Sequence, residues 1–387
     1  MPNLIKYSAK YINQAIENQF RTSKNKHFNN LLIKEFCKKV NVKYGITVSS
    51  GTAGLHTALL SLNLKKNDEV IMPAITMSAV AYSIILSGAK PVFADVEEDS
   101  LNIDPISVRK RITKNTKAII CVSLYGLPSN YSALKDIIKK NKKKIYLLED
   151  NAECILGSYK KKIAGSFGDF SMFSFQSSKV LTCGEGGIIV TSNKKLWEKA
   201  QLYSNLGYFL SNKTYKQKRI SLQNTNLMRH KIIGYNYRLS DFSAAIVYGQ
   251  LKKVNRLCEI RNNCAKEYNK IINQFKFVST QKFNQYYKHG YWAFSLLFSK
   301  KKYYEIFKKN FNKNGGDYFY ACWRIPYNEE FYKRLKIKHK KCEKAEKIQQ
   351  RLIQLKTNYS DKKDLFKQCR VLKKTLNQIQ KEATQDH

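Results

Sequence analysis

The chain's 387 residues suit two or three domains, or one large domain with a smaller companion, and 43% hydrophobic and 12% aromatic residues are enough for a sizeable core. Nine cysteines, an odd number with no CxxC pair and with Cys258 and Cys264 too isolated for a metal site, read as free thiols in a reducing compartment. The formal charge of +41 would suit a nucleic-acid or anionic-membrane partner, but the lysines run from Lys6 to Lys381 among abundant Asn and Ile, and no RRM, zinc-finger or helix-turn-helix pattern accompanies them. The charge therefore reads as a compositional background whose positive field attracts anionic substrates, and no nucleic-acid partner is expected.

The N-terminus, MPNLIKYSAKYINQ, has no apolar h-region, so no signal peptide is expected and the reading is cytoplasmic. Residues 1–45 read as helical and amphipathic, with Leu31, Leu32, Phe36 and Val40 near one face. Tyr44–Val48 reads as a short strand. It runs into Ser49-Ser50-Gly51-Thr52-Ala53-Gly54, which opens a helix to about Leu62. Strand, then Ser/Gly/Thr, then helix supplies free backbone N–H groups, a helix dipole and hydroxyls, the ingredients of an anion site. The same residues also cap helices for purely structural reasons.

From Glu69 onward the pattern alternates: strand 69–73, helix 80–86, strand 90–96, strand 118–124, helix 131–140 and strand 145–150. This βα alternation predicts an α/β fold, a mostly parallel sheet with helices on both faces. The stretch Val70–Leu86 is too interrupted, by Pro73, Thr76, Ser78 and Ser83, to read as a membrane span, so no membrane insertion is expected. The strand ending in Glu149-Asp150 is apolar until its carboxyl end, where ligands of open α/β sheets sit.

Phe170–Ile189, FSMFSFQSSKVLTCGEGGII, holds one lysine, Lys179, between two apolar runs that read as core strands. Small polar residues precede it, and the turn Gly184-Glu185-Gly186-Gly187 follows. Desolvation in such a setting disfavours an ammonium, and a neutral amine is what covalent chemistry with a carbonyl requires. A solvated loop lysine between strands fits the spacing too.

Further on, residues 195–275 read as largely helical with an interruption near 213–230, and Gly234-Tyr235-Asn236-Tyr237-Arg238-Leu239-Ser240-Asp241 precedes a helix 242–251. Tyr291–Phe298 reads as a strand. Residues 302–312 and 340–356 read as helices, and the tail after Asn377 as polar and frayed.

The segment Ser174-Phe175-Gln176-Ser177-Ser178-Lys179 followed by Gly184-Glu185-Gly186-Gly187 resembles the lysine motif of the DegT/DnrJ/EryC1/StrS sugar aminotransferases. The likeness recurs in order from about Lys43 to about Leu251 and fades beyond Cys258. It implies a pyridoxal 5'-phosphate (PLP)-dependent transferase of fold type I, with a large PLP-binding domain over 1–255, its first 40 residues an N-terminal helical segment. A smaller C-terminal α+β domain over 256–387 completes that picture. Carried over by position, Lys179 holds the cofactor covalently, and Asp150 pairs with its ring nitrogen. Gly51, Thr52 and Ser174 bind its phosphate, and Asn236 reaches the phosphate in the partner's site of a homodimer with shared active sites. Met77 stands where the family has a stacking aromatic, and Glu153 where it has Gln or His beside the ring hydroxyl. Arg238 and Glu185 are candidate substrate contacts, and no metal is implied.

The implied reaction moves an amino group from an amino acid, L-glutamate by resemblance, to a keto sugar nucleotide, giving a 4-amino-4,6-dideoxy sugar nucleotide for surface polysaccharide or glycan synthesis. Family members that deoxygenate the sugar replace the lysine with His, against which Lys179 argues. Amination of a keto-inositol stays open. A basic binding protein on a degenerate PLP scaffold is allowed by Met77 and Glu153, whereas Lys179, Asp150, Ser174 and Asn236 argue for an enzyme.

Overall fold

The structure, a computed structural model, describes residues 4–18, 28–208 and 223–384. The expected N-terminal helical stretch is two helices, α1 (Ile5–Glu17) and α2 (Phe28–Val40). Then come β1 (Tyr44–Val48), α3 (Gly51–Leu60), β2 (Glu69–Pro73), α4 (Ala79–Leu86) and β3 (Lys90–Ala94). They are followed by α5 (Pro105–Arg111), β4 (Thr116–Val122), α6 (Tyr131–Lys139) and β5 (Tyr146–Asp150). A short hairpin, β6 (Ser158–Tyr159) and β7 (Lys162–Ile163), leads to β8 (Phe170–Ser174) and β9 (Gly187–Thr191).

Seven of these strands form one sheet in the order β1-β9-β8-β5-β4-β2-β3. The neighbours from β8 to β3 pair in parallel, and β9 alone runs antiparallel to both of its neighbours. The lack of a crossover helix explains the exception. A parallel return needs a crossover of a dozen or more residues, usually with a helix, whereas the loop between Ser174 and Gly187 carries no helix and brings the chain straight back.

Strand periodicity divides the core. Val70, Met72, Ile120 and Val122 face α3 and α4, while Ile71, Ile119 and Cys121 face α5 and α6. Farther along the sheet, Phe173, Ile188 and Val190 pack against Leu32, Phe36 and Val40 of α2, with the Phe36 and Phe173 rings 4.8 Å apart. Truncating a buried ring such as Phe173 to Ala would cost about 3–5 kcal/mol. Helix α3 lies close on the sheet because Gly54 has no side chain. A Cβ there would stand 2.9 Å from Ile189 Cγ2.

The chain continues through α7 (Lys194–Ser204), α8 (Asp241–Leu251) and α9 (Val254–Ile272), which spans the boundary expected at 255. Part of the expected interruption, residues 213–222, lies outside the described residues. A second sheet follows, antiparallel throughout, in the order β10-β12-β14-β13. Its strands are β10 (Val278–Ser279), β12 (Ala293–Phe298), β13 (Tyr320–Ala321) and β14 (Leu352–Lys356), while β11 (Tyr287–Lys288) joins β6. The helices here are α10 (Lys301–Asn310), α11 (Glu330–Arg334), α12 (Glu343–Gln349) and α13 (Lys362–Thr384).

Two expectations are corrected in this part. The helix read over 340–356 stops at Gln349, and β14 replaces its second half. Leu352, Ile353, Gln354 and Leu355 are all buried, because the strand lies between β12 and β13 and is covered on both faces. The tail is not frayed after Asn377. Leu365, Cys369, Leu372, Leu376 and Ile379 recur at helical spacing and bury one stripe of α13 against the second sheet. Among the described residues no helix is long and apolar enough to cross a membrane, and the Val70–Leu86 stretch is β2, a loop and α4.

Candidate active site

A cavity of about 490 Å3 opens at the carboxyl ends of the parallel strands. It gathers Gly51, Thr52, Met77, Asp150, Glu153, Ser174, Lys179 and Glu185, which come from five separate stretches of chain.

One wall is the start of α3. Ser50, extended at φ −162°, caps the helix by accepting from Ala53 N–H at 3.0 Å, and its carbonyl accepts from Gly54 N–H. The N–H groups of Gly51 and Thr52 remain as donors at the cavity edge, where the helix dipole favours an anion. Ser174 ends β8 directly beside Gly51: a Cβ on Gly51 would lie 3.3 Å from the Ser174 hydroxyl. Backbone donors and a hydroxyl at a helix N-terminus are what a phosphate monoester requires.

Strand alternation sorts the two carboxylates that end β5. Glu149 points away from the cavity and is fully used. Its Oε1 accepts from Phe167 N, Gly168 N and Ser171 Oγ, and its Oε2 from Gly165 N at 2.6 Å and Asn151 Nδ2. It therefore ties down the turn that feeds the lysine strand. Asp150 points into the cavity, where Ala152 N–H donates to its Oδ1 at 3.0 Å. Burial pushes the Asp150 carboxyl up to about 6; the Ala152 N–H and Lys179 oppose this, and Glu153 adds to it.

Lys179 is not in the apolar setting expected for it. Its Nζ donates to Glu153 Oε1 at 3.2 Å and lies 4.0 Å from the centre of the Trp292 ring. Both contacts engage the charged ammonium. Glu153 is buried, and its second oxygen accepts from Tyr125 N–H at 2.9 Å. Burial raises the Glu153 carboxyl, against the pull of Lys179 and the Tyr125 N–H. So Glu153, expected beside the ring hydroxyl, is a partner of the lysine in this structure. Met77 is 52% exposed at the cavity rim, and Glu185 is exposed there too.

Asn236 and Arg238 do not reach the cavity of their own chain. Asn236 is exposed and bridges the backbone of Asn205, and Arg238 donates from Nη1 to Asn205 Oδ1 at 2.9 Å. Their loop is nonetheless anchored beside α3: Ser49 N–H donates to the Tyr237 carbonyl at 2.8 Å, and the Tyr237 hydroxyl meets His56 Nδ1 at 3.0 Å.

The opposite wall comes from the C-terminal part and was not anticipated. Trp292, Tyr320, Trp323 and Gln354 complete the cavity. Trp292 is fixed by its indole N–H, which donates to the Ser178 carbonyl at 2.8 Å, and its ring stacks with Trp323 at 6.5 Å. No motif marks these residues. The only signal is a tryptophan just before one strand, β12, and another just after β13.

A lysine amine, a buried carboxylate and a helix-borne phosphate site around one ring-sized space fit PLP, and the fold and site together define a PLP-dependent aminotransferase. The profile of the DegT/DnrJ/EryC1/StrS aminotransferase family matches residues 2–368. A GDP-perosamine synthase of Escherichia coli O157:H7 is 33% identical over 296 residues, 76% of either chain. One from Vibrio cholerae is 30% identical over 335 residues, 85% of this chain and 86% of that one. The X-ray structure of the aminotransferase from Psychrobacter cryohalolentis aligns over 98% of both chains with a TM-score of 0.89 at 22% identity. The chain belongs to the DegT/DnrJ/EryC1/StrS family of PLP-dependent sugar aminotransferases.

Proposed function

We propose that the chain transfers an amino group from L-glutamate to a keto sugar nucleotide and yields a 4-amino-4,6-dideoxy sugar nucleotide. The observation that carries this reading is Lys179 Nζ held between Glu153 and Trp292 in the same cavity as Asp150 and the start of α3. The likeness to two GDP-perosamine synthases makes a GDP-linked 4-keto-6-deoxy sugar the first acceptor to test.

Each residue then has a task. PLP, when bound, supplies an electron sink for the carbanion formed at the amino acid's Cα. Gly51 and Thr52 N–H groups and the Ser174 hydroxyl bind its phosphate. The Asp150 carboxylate holds the proton on its ring nitrogen. Lys179 would hold the cofactor covalently and, as a free amine, would serve as general base and then acid. Glu153 balances the ammonium of the free lysine and so keeps the amine oriented between turnovers. Trp292 and Trp323 cover the site from the C-terminal side and exclude water.

A phosphate dianion accepts more hydrogen bonds than Gly51, Thr52 and Ser174 give. Asn236 and Arg238 sit on an exposed loop anchored at Ser49, next to α3. A homodimer in which that loop reaches the partner's site supplies the missing donor and a positive charge. Mixing Lys179→Ala subunits with subunits carrying a bulky residue at Asn236 tests it. Mixed dimers would hold one site with both lesions and one with neither, so activity should return. Heterodimers that form without activity would refute the shared site.

For the reaction itself, purified holoenzyme is incubated with L-glutamate and GDP-, UDP- or dTDP-linked 4-keto-6-deoxy sugars, and the nucleotide sugars are analysed by mass. An aminated sugar nucleotide is expected. Amination of a keto-inositol and of no sugar nucleotide would overturn the reading.

A further inference from the structure

Beside the main cavity lies a second one, of about 160 Å3. The two share Ser178, Lys179, Trp292, Tyr320 and Gln354, so the second opens at the reacting lysine. Its unshared wall carries two cations, Arg261 and Lys356, and among the described residues no carboxylate lines it.

The three cations around this space differ in one respect. The Lys179 ammonium is paired with Glu153, and that of Lys356 with Asp317 at 3.5 Å. Arg261, on α9, is 7% exposed and has no acid beside it among the described residues. Its Nη1 donates to the Trp292 carbonyl at 2.7 Å and to Thr357 Oγ1 at 3.0 Å. Its Nε and Nη2 make no hydrogen bond among the described residues and stay accessible from the cavity.

An unpaired buried charge is costly, and the bonds from Nη1 alone do not call for a guanidinium. Burial lowers the Arg261 guanidinium to about 10, which leaves it charged at neutral pH. The free edge, Nε and Nη2, is the planar fork that matches a carboxylate bidentately.

We infer that this second cavity is the subsite for the distal carboxylate of a dicarboxylic amino donor, with Arg261 as the residue that binds it. The volume admits a carboxylate on a short methylene chain. A donor whose amino-bearing carbon stands at Lys179 keeps its α-carboxylate in the main cavity, one bond from that carbon, and sends its side chain past Trp292 toward Arg261. The identity of the donor rests on the transaminase reading; the carboxylate subsite does not.

The holoenzyme is given L-glutamate or L-alanine, and the first half-reaction is followed by cofactor absorbance. Arg261→Gln is expected to lower kcat/KM for L-glutamate on the order of 10- to 100-fold, as fits the loss of a charge-assisted pair. Its rate with L-alanine, which has no distal carboxylate, should fall much less, because only the support of Trp292 from Nη1 is lost there. Equal losses with both amino acids would mark Arg261 as a support of Trp292 only and overturn the subsite, as would no loss with either. Because the variant also loses the two bonds from Nη1, a second arm needs no mutation. Wild-type crystals soaked in glutarate should show a carboxylate on Nε and Nη2 of Arg261. Glutarate seated elsewhere, absence of binding, or displacement from Arg261 by inorganic phosphate at lower concentration would overturn the assignment. Should wild-type holoenzyme take no amino group from L-glutamate while glutarate still binds Arg261, the donor reading fails and the subsite stands.

Discussion

The wall of the cavity built from residues 50–185 and the wall built from residues 292–354 present different chemistry to the space between them. The first offers backbone N–H groups, a hydroxyl, two buried carboxylates and an amine, placed at a helix start, at strand ends or in the loops that leave them. The second offers three aromatic rings and one amide. Groups that must hold charge and move protons need rigid placement, and the carboxyl edge of a parallel sheet provides it. Rings need only area and a face. The difference implies that the first wall serves the cofactor and the chemistry, and the second the identity of the substrate.

The most direct way to break that division is Lys179→Ala. Loss of its proton transfers alone should slow transamination roughly 100- to 10,000-fold. Borohydride treatment of the wild type should fix the cofactor on the peptide containing Lys179, and the variant should show no such product. Labelling at another lysine would remove Lys179 from the centre of the first wall.

Asp150→Asn tests the same wall in two readouts. Transamination should fall far more than cofactor affinity, since a neutral amide cannot hold the ring nitrogen's proton while the α3 contacts remain. Stability should move the opposite way. The Asp150 carboxyl sits near 6 in the folded protein against a usual 3.8, so the folded state keeps a proton that the unfolded chain releases. That contribution is complete below the unfolded value and is lost as pH rises through about 6. Cofactor-free Asp150→Asn, which has no charge to bury, should therefore be more stable than wild type at neutral pH, by up to roughly 3 kcal/mol, with the gap closing below about pH 4. Parallel melting curves at all pH values would show that Asp150 is not strained by its burial.

The same contrast decided what was legible from residues alone. Strands β2 to β5 announce themselves as apolar runs separated by helix-length segments. Asp150 ends β5, the Ser50-Gly51-Thr52 helix start follows β1, and Lys179 lies in the loop after β8. The neighbouring Glu149 shows the limit. It reads like Asp150, and only the pleat of β5 sends it to the opposite face, where it holds the Gly165–Gly168 turn. In the second part the signals were weaker. Leu352-Ile353-Gln354-Leu355 follows a true helix without a break residue, so the apolar run passes for its last turn. The stripe Leu365, Cys369, Leu372, Leu376 and Ile379 is interleaved with lysines that make α13 look like a solvated tail. Arg261 carries no signal at all, because whether an arginine finds an acid is settled only by what packs against it.

Trp323→Leu addresses the second wall. Trp323 stacks on Trp292 and packs near the Tyr125 ring, on the side of the cavity away from the α3 phosphate donors. Removing an aromatic pair worth about 0.5–1.5 kcal/mol should raise KM for the sugar nucleotide roughly two- to tenfold and leave the borohydride-trapped cofactor unchanged. A change in cofactor retention with no change in KM would reverse the roles of the walls.

The smallest effect is expected at Met77, one of the two places, with Glu153, where the first wall departs from its family's pattern. Met77 lies at the rim, 52% exposed, where an aromatic would stack on the cofactor ring. A thioether is polarisable and adapts to a ring face, so a weaker contact is what this position would offer the cofactor. Met77→Tyr restores a flat partner, and the space for it is open because the rim is exposed to solvent. An added offset-stacked pair contributes about 0.5–1.5 kcal/mol, which would slow cofactor release roughly two- to tenfold. Release is read from apoenzyme formation after dilution, with kcat expected to change little because no charged group has moved. An unchanged release rate would place Met77 off the ring face and move it from the cofactor's wall to the entrance of the substrate.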